Sequence, residues 1–528
     1  MKHNSTALRQ PGPTIRQIRR AIATFTLLAL FPTLALAQSL PNLALTRLNY
    51  TVTKRRVNPQ GELKQKIDAV DKDLADAARL GKTAEVRRLL AKGLTLLAGK
   101  DWTDALDFSG SLVLRSDHLF MDSAKPATVR LEQIYSPSLQ LEGPLSTRFS
   151  VCKPRIQTGI EGLGVPLQGC DVIKEVGKFD DVSRDLREAP FLAEVKLSGI
   201  ADGPYLIQAE VLDGDRSLGF AALRVVLAKG LDDTLARIEA EAAHLPETLR
   251  ADALYPVEHV RNINLGRVEM GSFDLGKELA GTEQLLAAAK GGKDPFAGRT
   301  GEIKRHYFFA AAGEIMPYNL YLPAGYTPAR AFPLVVALHG LGANESSMLS
   351  PFYRIPPLAD QHGFIVVAPL GYRVDGGYGA FLSGRRGQLS EQDVMEVIKL
   401  VRQQYKIDDS RIYLVGHSMG GIGTWALGAK YPEMWAALAP ISGYGSPATV
   451  EKMKAIPEIV VHGDADDVVP VNGSRVMVAE MKKLGVDVKY IEVPGGSHVS
   501  VAGSNMAAIF DFFDAHRKGQ GAAAGNAR

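Results

Sequence analysis

The stretch Leu414-Val415-Gly416-His417-Ser418-Met419-Gly420-Gly421 decides how this chain is read. Ile412 to Val415 is short, apolar and β-branched, which predicts a buried strand. Ile422 to Lys430 has a helical composition. Between them, Gly416 and Gly420 flank Ser418 in a Gly-x-Ser-x-Gly turn, where side chains would clash as the backbone bends. A serine in such a turn has its hydroxyl pushed out above the sheet edge. Taken alone, the pattern also fits an ordinary tight turn.

The flanking segments narrow that choice. Downstream, Ile459-Val460-Val461 is an apolar strand ending in His462-Gly463-Asp464-Ala465-Asp466-Asp467, followed by Val468-Val469-Pro470. Further on, Val493-Pro494-Gly495-Gly496-Ser497-His498 is a strand end with a glycine loop and a histidine. Upstream, Pro333 to Leu338 is a buried strand followed by His339-Gly340-Leu341-Gly342. Serine, aspartate and histidine thus follow one another in the chain, each at the end of an apolar strand.

A serine hydroxyl is a poor nucleophile at neutral pH unless a neutral histidine takes its proton during attack. A buried carboxylate then fixes the histidine tautomer and stabilises the imidazolium. Ser418 is therefore expected as nucleophile, His498 as base and Asp466 as the carboxylate that orients it. Asp464 is expected to hold its own turn by accepting backbone N–H bonds, and Asp467 to face solvent or the start of the helix near Val471. His417 and His339 are read as structural. A metal cluster at His462, Asp464, Asp466 and Asp467 is the weaker reading, since acids after this strand already have a role, and no metal is expected. There is no phosphate-binding glycine loop or dinucleotide fingerprint, so no cofactor is expected.

These residues carry a resemblance. His339-Gly340, Gly416 to Gly421, His462 to Pro470, Gly496-Ser497-His498 and the lead-in Tyr318-Asn319-Leu320-Tyr321-Leu322-Pro323 resemble secreted esterases of the α/β-hydrolase superfamily. The feruloyl esterase and polyhydroxybutyrate depolymerase-like group is the nearest in pattern, with the prolyl oligopeptidase catalytic domain beside it. The resemblance covers residues 301–518, under half the chain. It implies hydrolysis through an acyl-enzyme, with oxyanion N–H donors at Leu341 and Met419. The implied substrate is a small-molecule or polymer ester. A prolyl oligopeptidase-like peptidase is the second reading. It is disfavoured because residues 38–300 show no repeated blades and are too few for a seven-bladed propeller. A non-enzymatic binding protein on a hydrolase scaffold is the third.

Working outward, the strands at Ile315 to Leu322, Leu334 to Leu338, Phe364 to Ala368, Ile412 to Val415, Ala436 to Ile441, Glu458 to Val461 and Val488 to Val493 alternate with helical segments. That rhythm predicts an α/β-hydrolase fold, a mostly parallel sheet flanked by helices, over 301–518. One helix is expected to start at Ser390, with Asp393 completing a capping box and Val394, Val397, Ile398 and Val401 on one face. Only 16 residues, Ser442 to Pro457, separate two of the strands, too few for an inserted helical cap. Any cover must come from the N-terminal half or from the Gly371 to Gly387 loop.

Before that domain, residues 38–106 read as a helical segment, a hairpin broken at Gly81 and Gly93. Residues 107–229 read as a β-sandwich, possibly immunoglobulin-like, with strands at Ser111 to Leu114, Thr128 to Tyr135, Leu192 to Leu197, Tyr205 to Leu212 and Gly219 to Leu227 and a hairpin turn at Asp213-Gly214. Residues 230–300 read as a helical connector broken at Pro246 and Pro256, and 519–528 as a disordered tail.

Residues 1–37 have the layout of a secretory signal: Arg16, Arg19 and Arg20, then apolar Ala21 to Ala37, with Ala35-Leu36-Ala37 as cleavage site. An exported protein, periplasmic or extracellular, is expected, with no stable membrane span once the leader is removed. Cys152 and Cys170 are the only cysteines; in an oxidising compartment they are expected to pair, two buried thiols being the other reading. The formal charge is +3, but the leader holds five basic residues and no acid, so the remainder carries −2. That balance gives no electrostatic case for nucleic acid. Oligomeric state has no signature in the sequence.

Overall fold

The structure, a computed structural model, describes residues 37–38, 42–139, 141, 143–154, 170–380 and 384–519. The leader expected over 1–37 lies outside these apart from its last residue, as does all but Gly519 of the tail expected over 519–528. Three helices open the described chain, Leu43–Val57, Gly61–Arg79 and Thr83–Leu97. They pack around Tyr50, Ile67, Val70, Leu89 and Leu90. The last two are the expected hairpin, and Gly81, at φ +66°, separates them. Gly93 does not break the run. It lies inside the third helix because Tyr50 crosses there; a Cβ at Gly93 would stand 2.4 Å from the tyrosine ring. The helix Leu43–Val57 adds a third member to the hairpin within the segment read as helical, and its N-cap is Asn42, whose side chain accepts from the N–H groups of Ala44 and Leu45.

A two-residue strand, β1 (Ala37–Gln38), precedes these helices, and eight strands follow them: β2 (Leu112–Ser116), β3 (Phe120–Met121), β4 (Pro126–Gln133), β5 (Leu145–Pro154), β6 (Cys170–Val182), β7 (Phe191–Lys196), β8 (Gly203–Asp213) and β9 (Arg216–Leu227). They form one sheet of order β1-β2-β4-β7 and another of order β3-β9-β8-β5-β6. Side chains of both sheets share one cluster, with Leu114, Val129, Leu131 and Val195 from the first and Phe149, Val151, Ile207 and Val225 from the second. The turn after Asp213 joins β8 to β9 with Asp213 opposite Arg216, and Gly214 takes φ +61° there. Cys152 and Cys170 form a disulfide between β5 and β6. The helix Asp104–Ser111 runs across the boundary expected at residue 107.

The following helices are Leu231–Ala242, Glu247–Asn264 and Leu275–Lys290. Pro246 caps the second of them, but Pro256 sits inside it, buried, and does not end it. This segment docks on the next sheet rather than bridging open space. Buried Asp252 accepts from Arg305 Nε at 3.0 Å and from the His306 backbone N–H at 2.7 Å.

The last eight strands are β10 (Gly301–Phe309), β11 (Glu314–Leu322), β12 (Phe332–Leu338), β13 (Ile365–Pro369), β14 (Ile407–His417), β15 (Ala437–Ile441), β16 (Glu458–Gly463) and β17 (Val488–Val493). Their order is β10-β11-β13-β12-β14-β15-β16-β17. The pairings of β10 and β13 with β11 are antiparallel, and all others are parallel. Leu334, Val336 and Leu338 enter one core while Val335 and Ala337 enter the other, so both faces are covered, as a parallel sheet requires.

The helix expected to start at Ser390 spans Arg385–Gln404, and no capping box forms. Ser390 Oγ instead accepts from the Tyr378 N–H at 2.9 Å. Asp393 accepts from the N–H groups of Gly371 (2.6 Å) and Tyr372 (2.9 Å) and from the Tyr307 hydroxyl. Both side chains therefore hold the loop after β13 from within the helix.

Candidate active site

Strand β14 ends at His417 and the helix Met419–Lys430 begins immediately, leaving Ser418 as the hinge at φ 58°, ψ −117°. For a residue with a Cβ that conformation costs about 1–3 kcal/mol and persists only where the surroundings enforce it. They do so by close backbone approach. A Cβ on Gly416 would lie 2.2 Å from the Gly420 carbonyl oxygen, and one on Gly420 would lie 2.1 Å from that of Leu338. The Ser418 N–H donates to Ile441 O at 2.9 Å, tying the hinge to β15.

His498 Nε2 stands 2.9 Å from Ser418 Oγ, and its Nδ1 stands 2.7 Å from Asp466 Oδ2. Asp466 Oδ1 accepts from the N–H groups of Val468 (2.9 Å) and Val469 (2.8 Å). Burial works to raise the Asp466 pKa, but hydrogen bonds from His462 and His498 outweigh it and hold the carboxyl far below the usual range. An ionised Asp466 requires the His498 proton on Nδ1, which turns the Nε2 lone pair toward the Ser418 hydroxyl. Ser418 is half-buried, so the hydroxyl is reachable from outside.

The loop after β12 closes the other side. A Cβ on Gly340 would lie 3.4 Å from Ser418 Cβ, so the Gly340–Leu341 peptide abuts the serine. Met419 is the first residue of its helix, where an N–H has no intrahelical carbonyl to bond. The loop is braced from below: Gly342 N–H donates to Val374 O at 2.8 Å, and the His339 ring nitrogens each stand 2.8 Å from a carbonyl, of Gly340 and of Leu370. Tyr378 donates to His339 O at 3.1 Å.

Comparison with known proteins agrees with this geometry. Residues 310–477 match the family described as putative esterase, and residues 444–520 match the prolyl oligopeptidase family. Over these residues the chain is similar to esterases. The bifunctional acetylxylan esterase/xylanase XynS20E of Neocallimastix patriciarum is 33% identical over 150 residues, 28% of this chain and 21% of that protein. Feruloyl esterase B of Neurospora crassa is 34% identical over 113 residues, 21% of this chain and 38% of its own. Poly(3-hydroxyalkanoate) depolymerase C of Paucimonas lemoignei is 33% identical over 128 residues, 23% and 30% of the two chains. The chain thus spans well under half the length of these relatives. Among solved structures, the ferulic acid esterase AmCE1/Fae1A of Anaeromyces mucronatus is 18% identical, covering 42% of this chain and 93% of that one at a TM-score of 0.35, a likeness too slight to add weight.

The remaining acids and histidines of the hydrolase site have distinct partners. Asp464 Oδ1 accepts from Gly495 N–H at 2.6 Å, which ties the acid loop to the histidine loop. Asp467 does not face the helix near Val471; its carboxylate pairs with Arg56 of the helix Leu43–Val57. Among the described residues no group of three or more His, Cys, Asp or Glu is arranged to hold a metal.

His417 is buried, with Nε2 2.8 Å from His498 O and Nδ1 2.9 Å from the Tyr353 hydroxyl. A carbonyl only accepts, so Nε2 carries the proton and Tyr353 donates to Nδ1. Burial, aided by the neighbouring His498 imidazole, lowers the His417 pKa to about 4.

Three features escaped sequence reading. His462 is fully buried and adds a second imidazole to Asp466, Nε2 to Oδ2 at 3.1 Å, while its Nδ1 meets Ser474 Oγ at 2.7 Å. Gly463 lies against the Gly496 backbone; a Cβ on Gly463 would lie 2.0 Å from Gly496 O, so the acid and histidine loops meet because residue 463 is glycine.

The third is the contact of the helix Leu43–Val57 with the hydrolase loops. Leu45 packs on Gly342, and Arg55 Nη1 donates to the carbonyls of Asp467 (2.9 Å) and Val468 (3.0 Å). A cavity of about 1450 Å³ lies behind the oxyanion-side loop, lined by Leu45, Gly342, Asn344, Tyr372 and Arg373, and Ser418 and His498 do not line it.

Proposed function

We propose that this chain is an exported serine esterase that cleaves carboxylic esters through an acyl-enzyme. The observation that carries the reading is the continuous contact Ser418 Oγ to His498 Nε2 to Asp466 at a strained strand–helix turn. Ser418 Oγ attacks the ester carbonyl carbon as His498 Nε2 takes its proton. The tetrahedral oxyanion is held by the backbone N–H groups of Leu341 and Met419, each worth roughly 3 kcal/mol. The intermediate collapses, the C–O bond to the alcohol breaks, and His498 returns the proton to the departing oxygen. Water, deprotonated by His498, then attacks the acyl-Ser418 ester and releases the acid.

The names of the relatives point to acetyl, hydroxycinnamoyl and hydroxyalkanoate esters as substrate classes. A second reading, a peptidase, is favoured only by the prolyl oligopeptidase match over 444–520. Around this centre we take 301–518 as catalytic domain, 107–229 as an immunoglobulin-like sandwich, 38–106 and 230–300 as helical segments and 1–37 as export signal. In support of export, the two cysteines are paired, and among the described residues no helix is long and apolar enough to cross a membrane.

Turnover of 4-nitrophenyl acetate, methyl ferulate, polyhydroxybutyrate and proline amides, by wild type and by Ser418→Ala, tests the proposal. Ester cleavage that disappears in a folded Ser418→Ala protein is expected. Equal turnover by that variant removes Ser418 as nucleophile, and cleavage of amides in preference to esters moves the assignment to a peptidase.

A further inference from the structure

The helix Leu43–Val57 touches the hydrolase at two places. Leu45 meets Gly342, where an added Cβ would come within 3.2 Å of the leucine. Arg55 and Arg56 hold Asp467 and Val468. Gly342 lies in the loop after β12, and Asp467 in the loop after β16. In the sheet order β12-β14-β15-β16 those strands are three steps apart, about 14 Å at ~4.8 Å per step. A helix rises about 15 Å from residue 45 to residue 55. The two lengths agree with a helix that runs across the carboxyl ends of the strands.

One strand step corresponds to about three helical residues. Counting from Leu45, Leu48 therefore comes over the end of β14, where Ser418 stands. Leu45, Leu48, Val52 and Arg55 fall three, four and three apart and share a face. Leu43 and Tyr50, which pack with the two neighbouring helices, lie on the other. Val52 is 1% exposed although it is not part of that helical cluster. Its position between the two anchored ends, on the face of Leu45 and Arg55, puts its cover on the hydrolase side.

We infer that this helix is a bar across the mouth of the catalytic site, with Leu48 above the reacting serine, and that it restricts the enzyme to esters of small alcohols or chain ends. A high-mass polymer esterified along its length would have to pass between the helix and Ser418. The inference rests on the esterase reading given above. The putative-esterase match spans residues 310–477, and the helix Leu43–Val57 lies outside it.

Two measurements on the full chain test it. The first compares kcat/KM for 4-nitrophenyl acetate with that for acetylated dextran of high mass, which share an acyl group and differ in the alcohol. In Arg55→Ala/Arg56→Ala, which frees one end of the helix, the polymer-to-small-ester ratio is expected to rise about tenfold. A folded double variant with the ratio unchanged overturns the inference.

The second needs no variant. Wild type is labelled with a fluorophosphonate that carries a diazirine, Ser418 Oγ displacing fluoride from phosphorus. After photolysis, mass spectrometry is expected to find crosslinks within residues 43–57, centred on Leu48. Crosslinks confined to other segments overturn the bar. A probe that fails to attach to Ser418 overturns the esterase reading itself, and the inference with it.

Discussion

Three aspartates follow β16, and each has a different partner. Asp466 meets His498 and His462, Asp464 holds the Gly495 N–H, and Asp467 pairs with Arg56. Replacing an orienting aspartate by asparagine in a serine triad costs about 10⁴ in turnover, because the histidine is left in the wrong tautomer. Asp466→Asn is therefore expected to lose several orders of magnitude in kcat with little change in melting temperature. Asp464→Asn should lower the melting temperature more than the rate, because one loop tie is weakened. Asp467→Asn should stay near wild type on 4-nitrophenyl acetate. Steady-state rates and melting curves of the three variants decide; a crippled Asp467→Asn beside an active Asp466→Asn would shift the orienting role by one residue.

Glu458 gives a prediction in pH. It is fully buried at the start of β16, accepts from Trp425 Nε1 at 2.8 Å, and has no partner at Oε1. Burial pushes its carboxyl up to about 8 from an ordinary 4.5. Between those values the folded chain holds a proton that the unfolded chain has released. Stability from this group therefore falls as pH rises from about 4.5 to about 8 and stays lost above. Glu458→Gln keeps the acceptor for Trp425 and cannot titrate. Its melting temperature, relative to wild type, should be higher at pH 9 than at pH 5; a difference independent of pH would show that Glu458 does not carry the proton.

At the scale of elements, what could be read depended on how many faces an element buries. Strands β12 to β16 carry apolar runs buried on both sides, the edge strand β17 is half-buried, and all six were legible. Strand β6 is mostly exposed and polar, so no alternation announced it. The Ser390/Asp393 pair has the spacing of a cap yet serves the Gly371–Tyr378 loop, a tertiary use that local spacing does not encode. The positions that meet around Ser418 were legible because each terminates an apolar strand. The second imidazole on Asp466 was not, because His462 belongs to the strand itself.

Gly93 is instructive in the same way. As a residue type it suggested a break, whereas its place is a helix crossing against Tyr50. Alanine gains about 1 kcal/mol in helix propensity over glycine, but overpacking a buried contact costs about 1–3 kcal/mol. Gly93→Ala is expected to destabilise the N-terminal helices, seen as increased proteolysis within residues 43–97. Added resistance there would mean that the Tyr50 ring moves aside freely.

At the scale of the whole molecule, the domain limits legible in sequence are not limits of stability. Gly291-Gly292-Lys293-Asp294-Pro295 cannot continue a helix and reads in sequence as a boundary, yet the helices before it pack on the first strands after it. Arg305 on β10 is buried and bonds Asp252, and the Ile315 N–H on β11 donates to Glu258 at 2.6 Å. Tyr255 stacks on His306 with centroids 4.0 Å apart. A fragment 296–519 keeps every residue of the proposed catalytic set but loses the helix that covers Arg305 and supplies its carboxylate, and it exposes the apolar strand face beneath. A fragment 245–519 keeps Asp252, Tyr255 and Glu258 in place. Fragment 245–519 is thus expected to melt well above 296–519. Where folded, both should turn over 4-nitrophenyl acetate, since neither needs the N-terminal helices for the chemistry at Ser418. Equal melting temperatures would show that the helices dock without stabilising the sheet. A folded 245–519 that fails on the small ester would place part of the catalytic machinery in residues 38–244.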